Sequence, residues 1–571
     1  MEVVTVDKII RVNLTDNTIT DEAVPDKYKK IGGRALTAQI LTDEVDPNCE
    51  PLGRHNKLVI APGLLGGSYL SSSSRLSIGG KSPLTGGIKE SNAGGIAAIA
   101  MSKMGIKAII LEGESTEGDS KCLYISSDKR EISSTDIKGK GVYASAEVLR
   151  ERYGDKAALI LIGPAGEKSF ATAGIAINDP QGRPSRYCGR GGLGAVMGVK
   201  GLKAIVLDSA GAAGINYRDK KAFQALTKEI VKILLDNPAT GDTYPKYGTA
   251  AMAARTNALN GLPTYNFSQG TFEHANRIDG EYLYSVLKER GGDGNPTHAC
   301  MPGCVIKCSN IYADQSGEEI VAPIEYETIG LLGSNCGIGN LDEIAKLNYI
   351  CNDLGVDTID IGAAIGIAME QGLASFGDYS AAAKLFDEIA NDTILGKVLA
   401  QGAQITGRVL SSKRIPVVKG QAMAAYDPRA IKGLGVTYAT SPMGADHTAG
   451  NTVRAEIDHK DPKIQTELSR KIQLIAMIAD SLGLCMMLMA ALGSHLDKLS
   501  TLVEHYLGDS YSEKELLDMA AHSINVELEF NRAAGLSAAH DRLPEFMREE
   551  SLPGIDSVFD VGESELDQIH R

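Results

Sequence analysis

The sequence predicts an α+β protein, strand-rich at its amino end and mainly helical over the two regions that follow. Three observations carry this. Up to about residue 208 the chain is cut into short apolar, β-branched runs separated by turn residues. From Asp219 the apolar period becomes helical, with Phe223, Leu226, Ile230, Ile233 and Leu234 on one face. At 571 residues the chain exceeds one core, and at roughly 150 residues per domain it suggests three or four domains.

In order, residues 9–14 read as a strand leading into the turn Thr15-Asp16-Asn17, and residues 58–61 as a strand ending at Pro62-Gly63. Residues 108–111, 157–162 and 204–207 are further runs of this kind. The small-residue stretch 209–214 reads as a linker, and a second boundary falls near Arg414-Ile415-Pro416. The expected domains are 1–208, strand-rich, then 215–415 and 416–571, both helical. Asn340 with Glu343 is a helix start. The longest apolar stretch, 472–492, is interrupted by Gln473, Asp480 and Ser481, so it predicts a buried helix pair and no membrane span, which needs about 20 apolar residues. No repeat of fixed period stands out.

With 58 basic against 72 acidic residues the net charge is −14, which disfavours nucleic acid or an anionic membrane as partner. Residues 1–8 lack the basic and apolar regions of a signal peptide, so a cytoplasmic location is expected. Nine cysteines in that setting point to thiols or metal ligands. The 63 glycines gather in short loops, as backbone wrapped around ligands requires.

Two motifs fail on inspection. The stretch from Gly192 to Gly198 imitates a dinucleotide loop, but no apolar strand precedes it, its third glycine is late, and no acidic residue follows at the required distance. In Gly166-Glu167-Lys168-Ser169 a glutamate separates the glycine from the lysine of a phosphate loop, leaving an ordinary turn. Cys300, Cys304 and Cys308 are different. Three thiols within nine residues, with Pro302-Gly303 bending the loop, suit an iron–sulfur cluster; zinc usually takes two close pairs, and buried structural thiols are the bland alternative. A fourth thiolate is best sought at Cys485, where Asp480 and Gly483 interrupt an apolar helix.

On these residues the sequence resembles the tungsten-dependent aldehyde:ferredoxin oxidoreductases over essentially its whole length. The shared motifs are Ser74-Arg75-Leu76, Glu90-Ser91-Asn92-Ala93-Gly94-Gly95 and Arg186-Tyr187-Cys188-Gly189-Arg190-Gly191-Gly192. They continue with the cysteine loop, Glu325-Tyr326-Glu327-Thr328, residues 352–357, Gly444-Ala445-Asp446-His447 and residues 480–485. The resemblance implies a saddle-like amino-terminal β domain cradling a bis-pyranopterin (molybdopterin) tungsten centre, capped by two helical domains. It implies a [4Fe–4S] cluster on Cys300, Cys304, Cys308 and Cys485, and Mg2+ near Asn92. Arg75, Arg186 and Arg190, with Tyr187, Gly94, Gly95 and Gly189, would serve the pterin phosphates, where arginine offers paired donors. Asn352, Val356 and Asp357, then Asp480 and Leu484, match two pterin-contacting repeats, and Gly444 belongs to the same set.

Departures from the family are specific. Asn352 replaces an aspartate and Val356 a leucine; the first cysteine gap is one residue longer; Met443 stands where an arginine is usual. A homodimer is compatible with the sequence, but the E-x-x-H iron bridge is absent, because Glu343 is followed by Ile344-Ala345-Lys346. The implied roles are Glu327 as general base, with Glu325 as alternative, His447 as partner of the carbonyl oxygen, and Tyr426 as substrate guide. The implied substrate is a small aldehyde, and the electron acceptor a ferredoxin or an iron–sulfur subunit. Reduction of an aryl-CoA thioester with the same cofactors, and a non-redox iron–sulfur hydro-lyase, are the competing readings.

Overall fold

A computed structural model describes residues 7–115 and 120–570. Residues 1–6, which carry most of the reading of a missing leader, lie outside the described residues.

The amino-terminal region is built from two six-stranded sheets of one topology. The first contains β1 (Lys8–Asn13), β2 (Thr18–Ala23), β3 (Leu58–Pro62), β4 (Leu76–Lys81), β5 (Ile88–Ala93) and β6 (Ile106–Glu112), in the order β2-β1-β6-β3-β4-β5. The second contains β7 (Lys121–Ser126), β8 (Arg130–Ser134), β9 (Ala158–Leu161), β10 (Ile175–Ile177), β11 (Arg186–Cys188) and β12 (Leu202–Asp208). Its order, β8-β7-β12-β9-β10-β11, is the same arrangement. In each sheet one pair is parallel, β1 with β6 and β7 with β12, and the others are antiparallel. Even the helices correspond: Gly33–Glu44 and Val142–Tyr153 join second to third strand, Ala97–Lys103 and Leu193–Val199 fifth to sixth. The chain is therefore duplicated here, although no repeat shows in the sequence. A sheet needs apolar alternation and well-placed turns, which many different residues satisfy.

Alternation sends neighbouring side chains to opposite layers. Ile10, Ile60 and Ile109 of the first sheet share a core with Ile160, Ile177 and Ile205 of the second. Ile9, Val59 and Ile110 face outward onto Leu36, Ile40 and Leu41 of the helix Gly33–Glu44. Leu159, Leu161 and Val206 meet Val142, Ala146 and Leu149 in the same way.

Beyond residue 219 the chain is mainly helical. Asn340 caps the helix Leu341–Leu354 through its side chain, as its helix-start pattern predicts, and Asp219 caps the helix Lys220–Asp236 in the same way. The apolar stretch 472–492 is two helices, Gln465–Leu482 and Met486–Leu492. Among the described residues no helix is long and apolar enough to cross a membrane.

Two of these helices dock on the sheets through one repeated joint. Leu341–Leu354 ends at Gly355 (φ +76°) and Gln465–Leu482 at Gly483 (φ +78°), left-handed caps that favour glycine. Gly483 lies against Gly63, just after β3, so closely that a Cβ on Gly63 would sit 2.0 Å from its nitrogen. Gly355 lies against Gly163, just after β9, where a Cβ would come within 2.2 Å of the Leu354 carbonyl oxygen. The amides of Arg75 and Gly174, each just before the fourth strand of its sheet, donate to the carbonyls of Gly483 (3.1 Å) and Gly355 (2.9 Å).

Candidate active site

Where β5 and β11 face these helix ends, a cavity of about 770 Å³ opens. Its walls include Arg75, Asn92, Gly94, Arg186, Tyr187, Gly189, Arg190, Asn352, Val356, Asp357 and Asp480. Glu325, Glu327, Tyr426, His447, Cys300, Cys308 and Cys485 complete much of the rest. Residues far apart in sequence thus surround one space. Cys304 lies behind the wall, with Ser72 Oγ 3.2 Å from its sulfur. Gly95, Gly444 and Leu484 are not among the lining residues: Gly95 donates its amide to the Cys300 carbonyl (2.9 Å), Gly444 packs on Val418, and Leu484 is fully buried in apolar core.

The four thiols influence one another. Burial pushes Cys300 up to about 12 and lifts Cys308 and Cys485, and the neighbouring sulfurs raise each of them further. Arg186 opposes the rise at Cys300 and Arg75 at Cys485. Thiols this hard to ionise alone become thiolates when a positively charged metal core draws off the proton. Gly94 fits against this loop because a Cβ there would come 3.2 Å from Cys300 Sγ. Among the described residues no three His, Cys, Asp or Glu side chains are placed to hold a single metal ion.

Arg75 donates from Nε to Oδ1 of Asn92 and from Nη2 to its carbonyl oxygen (2.8 Å). Asn92 in turn donates to Asp480 (3.1 Å), so its side chain is committed on both sides. Asp480 also receives Arg34 (3.4 Å), whose guanidinium forks onto Glu527 at 2.8 and 2.7 Å. Burial raises Asp480 to about 6 and Glu90 beside it to about 8, and Oε1 of Glu90 has no partner. Three carboxylates around one buried arginine hold at least one proton near neutrality. On the β11 side Tyr187 donates to the Asn352 carbonyl (2.5 Å). Arg190 is spent on the protein, reaching Asp357, Asp360 and the carbonyls of Ala422 and Ala445. Arg186 is the opposite case: Nε and Nη2 are buried without partners, and Glu325 stands 3.9 Å from Nη1. Two buried, unused guanidinium nitrogens call for an anion.

Oε2 of Glu327 accepts from the Ala425 amide (2.8 Å), which fixes the carboxylate. Its Oε1 lies 3.3 Å from His447 Nε2 without a hydrogen bond, and His447 Nδ1 is likewise unpartnered. The Tyr426 ring stands 5.9 Å from the imidazole. Glu325 points elsewhere, accepting from Thr249, and burial raises its pKa. The sequence did not reveal Lys89, fully buried, whose Nζ pairs with Asp446 and lies 3.7 Å from Met443 Sδ. Lysine from β5 therefore supplies a cation beside Met443, where the resemblance implies an arginine. Nothing in the local sequence marks it, since residues 88–93 do not read as a strand there.

The description "Aldehyde ferredoxin oxidoreductase, N-terminal domain" matches residues 9–209, and "domains 2 & 3" of the same family match residues 225–568. The chain belongs to the aldehyde ferredoxin oxidoreductase family. A tungsten-containing aldehyde ferredoxin oxidoreductase of Pyrococcus abyssi is 33% identical, over 96% of this chain and 92% of that protein. An aliphatic sulfonate oxidoreductase, WOR-like subunit, of Pyrococcus furiosus is 29% identical over 77% of this chain and 74% of its own. Among solved structures, the active-site complex BamBC of benzoyl coenzyme A reductase with 1,5-dienoyl-CoA superposes with a TM-score of 0.80, over 99% of this chain and 93% of that one. At 19% identity it shows the shared fold: a β-rich region of two sheets followed by helical ones. Like its family, the chain is an oxidoreductase.

Proposed function

We propose that the chain interconverts an aldehyde and its carboxylic acid at a bis-pyranopterin tungsten centre, with electrons leaving through a [4Fe–4S] cluster to a ferredoxin or an iron–sulfur subunit. The observation that carries this is the Glu327–His447 pair, with two unsatisfied polar atoms, in a cavity whose other wall bears Cys300, Cys308 and Cys485. When bound, the metal centre supplies a two-electron oxidant and the cluster a one-electron exit.

The remaining roles belong to the chain. Arg186, with its unused nitrogens, would hold a cofactor phosphate on the β11 side, and Arg75, set between Asn92 and the thiols, would give a bound pterin and cluster a fixed positive charge. Glu327, anchored by the Ala425 amide, offers Oε1 to take a proton from the attacking water. His447 hydrogen-bonds the carbonyl oxygen as charge develops on it, and Tyr426 flanks the substrate. A hydrated aldehyde loses two protons and two electrons in becoming the acid. Because Asn92 is engaged by Arg75 and Asp480, a magnesium ion among the phosphates would draw most of its oxygens from elsewhere.

Metal analysis and dye reduction on protein purified without oxygen test the reading. Tungsten or molybdenum near one atom per chain, with viologen reduced by aldehyde and no NAD reduction by the chain alone, is the expected result. Absence of both metals from active protein overturns it, and so does unaided NAD reduction.

A further inference from the structure

Arg454 follows His447 in the chain and lines the same cavity. Its guanidinium lies 4.5 Å from the centre of the Tyr244 ring, and Nη2 is 3.8 Å from the sulfurs of Met252 and Met487. These neighbours are soft and neutral. Among the described residues no carboxylate lies within ion-pair distance of it, and the one acidic group that acts on it is the buried Cys485 thiol, which burial keeps from ionising readily. Other buried arginines differ: Arg34 holds Glu527 and Asp480, Arg190 holds Asp357 and Asp360, and Arg429 holds Asp427. A part-buried cation without a carboxylate partner is costly, and such a cation is normally kept for an anion that arrives.

The surroundings fit such an arrival. Met252 and Met487 stand at the guanidinium itself, and Ile472, Ile475, Met486 and Met489 add apolar wall to the same cavity. Lys471 lines it too, with an exposed side chain and no ion pair among the described residues. The carboxylates that line the cavity are Glu325, Glu327, Asp357, Asp446 and Asp480, and none of them pairs with Arg454. One cavity thus combines apolar wall with positive charge that no carboxylate pairs.

We infer that this region is a subsite for the anionic end of the substrate, so that the preferred aldehyde carries an apolar body and a remote oxyanion, carboxylate or sulfonate, held by Arg454. The inference rests on the aldehyde reading above and names its substrate class. Arginine presents two parallel N–H groups to such an oxyanion, while Lys471 at the surface draws it in.

The test compares para-formylbenzoate and para-formylbenzenesulfonate with neutral para-tolualdehyde, using holoenzyme and a viologen acceptor. Wild type should favour at least one anion by ~10–100-fold in kcat/KM, carried by KM. R454M should bring that ratio close to one, and R454K should restore part of it. The anion that responds identifies the oxyanion. A wild-type ratio near one overturns the inference whether or not any variant folds. So does an unchanged ratio in R454M accompanied by a shifted cluster potential, which would assign Arg454 to the cluster. Calorimetry with terephthalate, which cannot be oxidised here, separates the two claims. If no aldehyde turns over but terephthalate binds wild type and not R454M, the reaction reading fails and the subsite stands.

Discussion

His447 Nε2 stands 3.3 Å from Glu327 Oε1, and the carboxylate is held from its other oxygen by the Ala425 amide. The pair is aligned on the cavity rather than on itself, since neither Oε1 nor His447 Nδ1 has a hydrogen-bond partner. Glu327→Gln and His447→Ala should each lower kcat by about 10²–10⁴-fold. Neither residue touches the thiols or Arg186, so metal and iron content should match wild type. Near-normal turnover in either variant refutes its assigned role.

The fourth thiol is the next test. Cys485 caps the helix Met486–Leu492 and donates its amide to the Ser72 carbonyl (2.8 Å), so its backbone is fixed whatever the side chain. Cys485→Ser should leave the fold intact while the cluster is lost or damaged. Iron and sulfide, about four of each in wild type, would fall, with loss of the reduced-cluster EPR signal. An unaltered spectrum would place the fourth ligand elsewhere.

Among the described residues Arg34 is the one cation paired directly with Asp480 and Glu527, and all three are buried. Removing it leaves carboxylates in a low dielectric without their counter-ion, which typically costs about 3–5 kcal/mol. Arg34→Leu should therefore lower the thermal unfolding midpoint markedly, while Glu527→Gln, which removes a charge and keeps the shape, should cost less. Equal effects would show that packing, not charge, is what Arg34 provides.

Glu90 sets a pH dependence. Its pKa is raised by burial from 4.5 to about 8, so the folded chain keeps a proton that the unfolded chain releases. That contribution to stability is complete below pH 4.5 and is lost as pH rises through about 8. Asp480, raised to about 6, adds to the fall at its lower end. Glu90→Gln cannot release a proton, so its unfolding midpoint should fall less than wild type between pH ~5 and ~9. Parallel curves would show that Glu90 does not titrate in this window.

Much of the molecule was legible without coordinates because it is encoded locally. Strand runs such as 9–14 and 58–61, the helical period from Asp219, the helix start at Asn340 and the split apolar helix at 472–492 depend on neighbours a few residues away. The cysteine loop and the glycine–arginine motifs carried the family resemblance for the same reason: residues of one loop travel together in sequence. Tertiary structure alone decided which charges are spent and which are free. Arg190 and Arg186 belong to one motif, yet Arg190 is consumed by Asp357 and Asp360 while Arg186 keeps two nitrogens unpaired. Lys89 meets Asp446, and Arg34 meets Glu527, across hundreds of residues. The duplicated sheets, and the paired joints of Gly63 with Gly483 and Gly163 with Gly355, were hidden likewise. A sequence shows the type of each residue; its partner is set by where packing brings the backbone, and for a buried charge the partner determines whether it supports the fold or awaits a ligand.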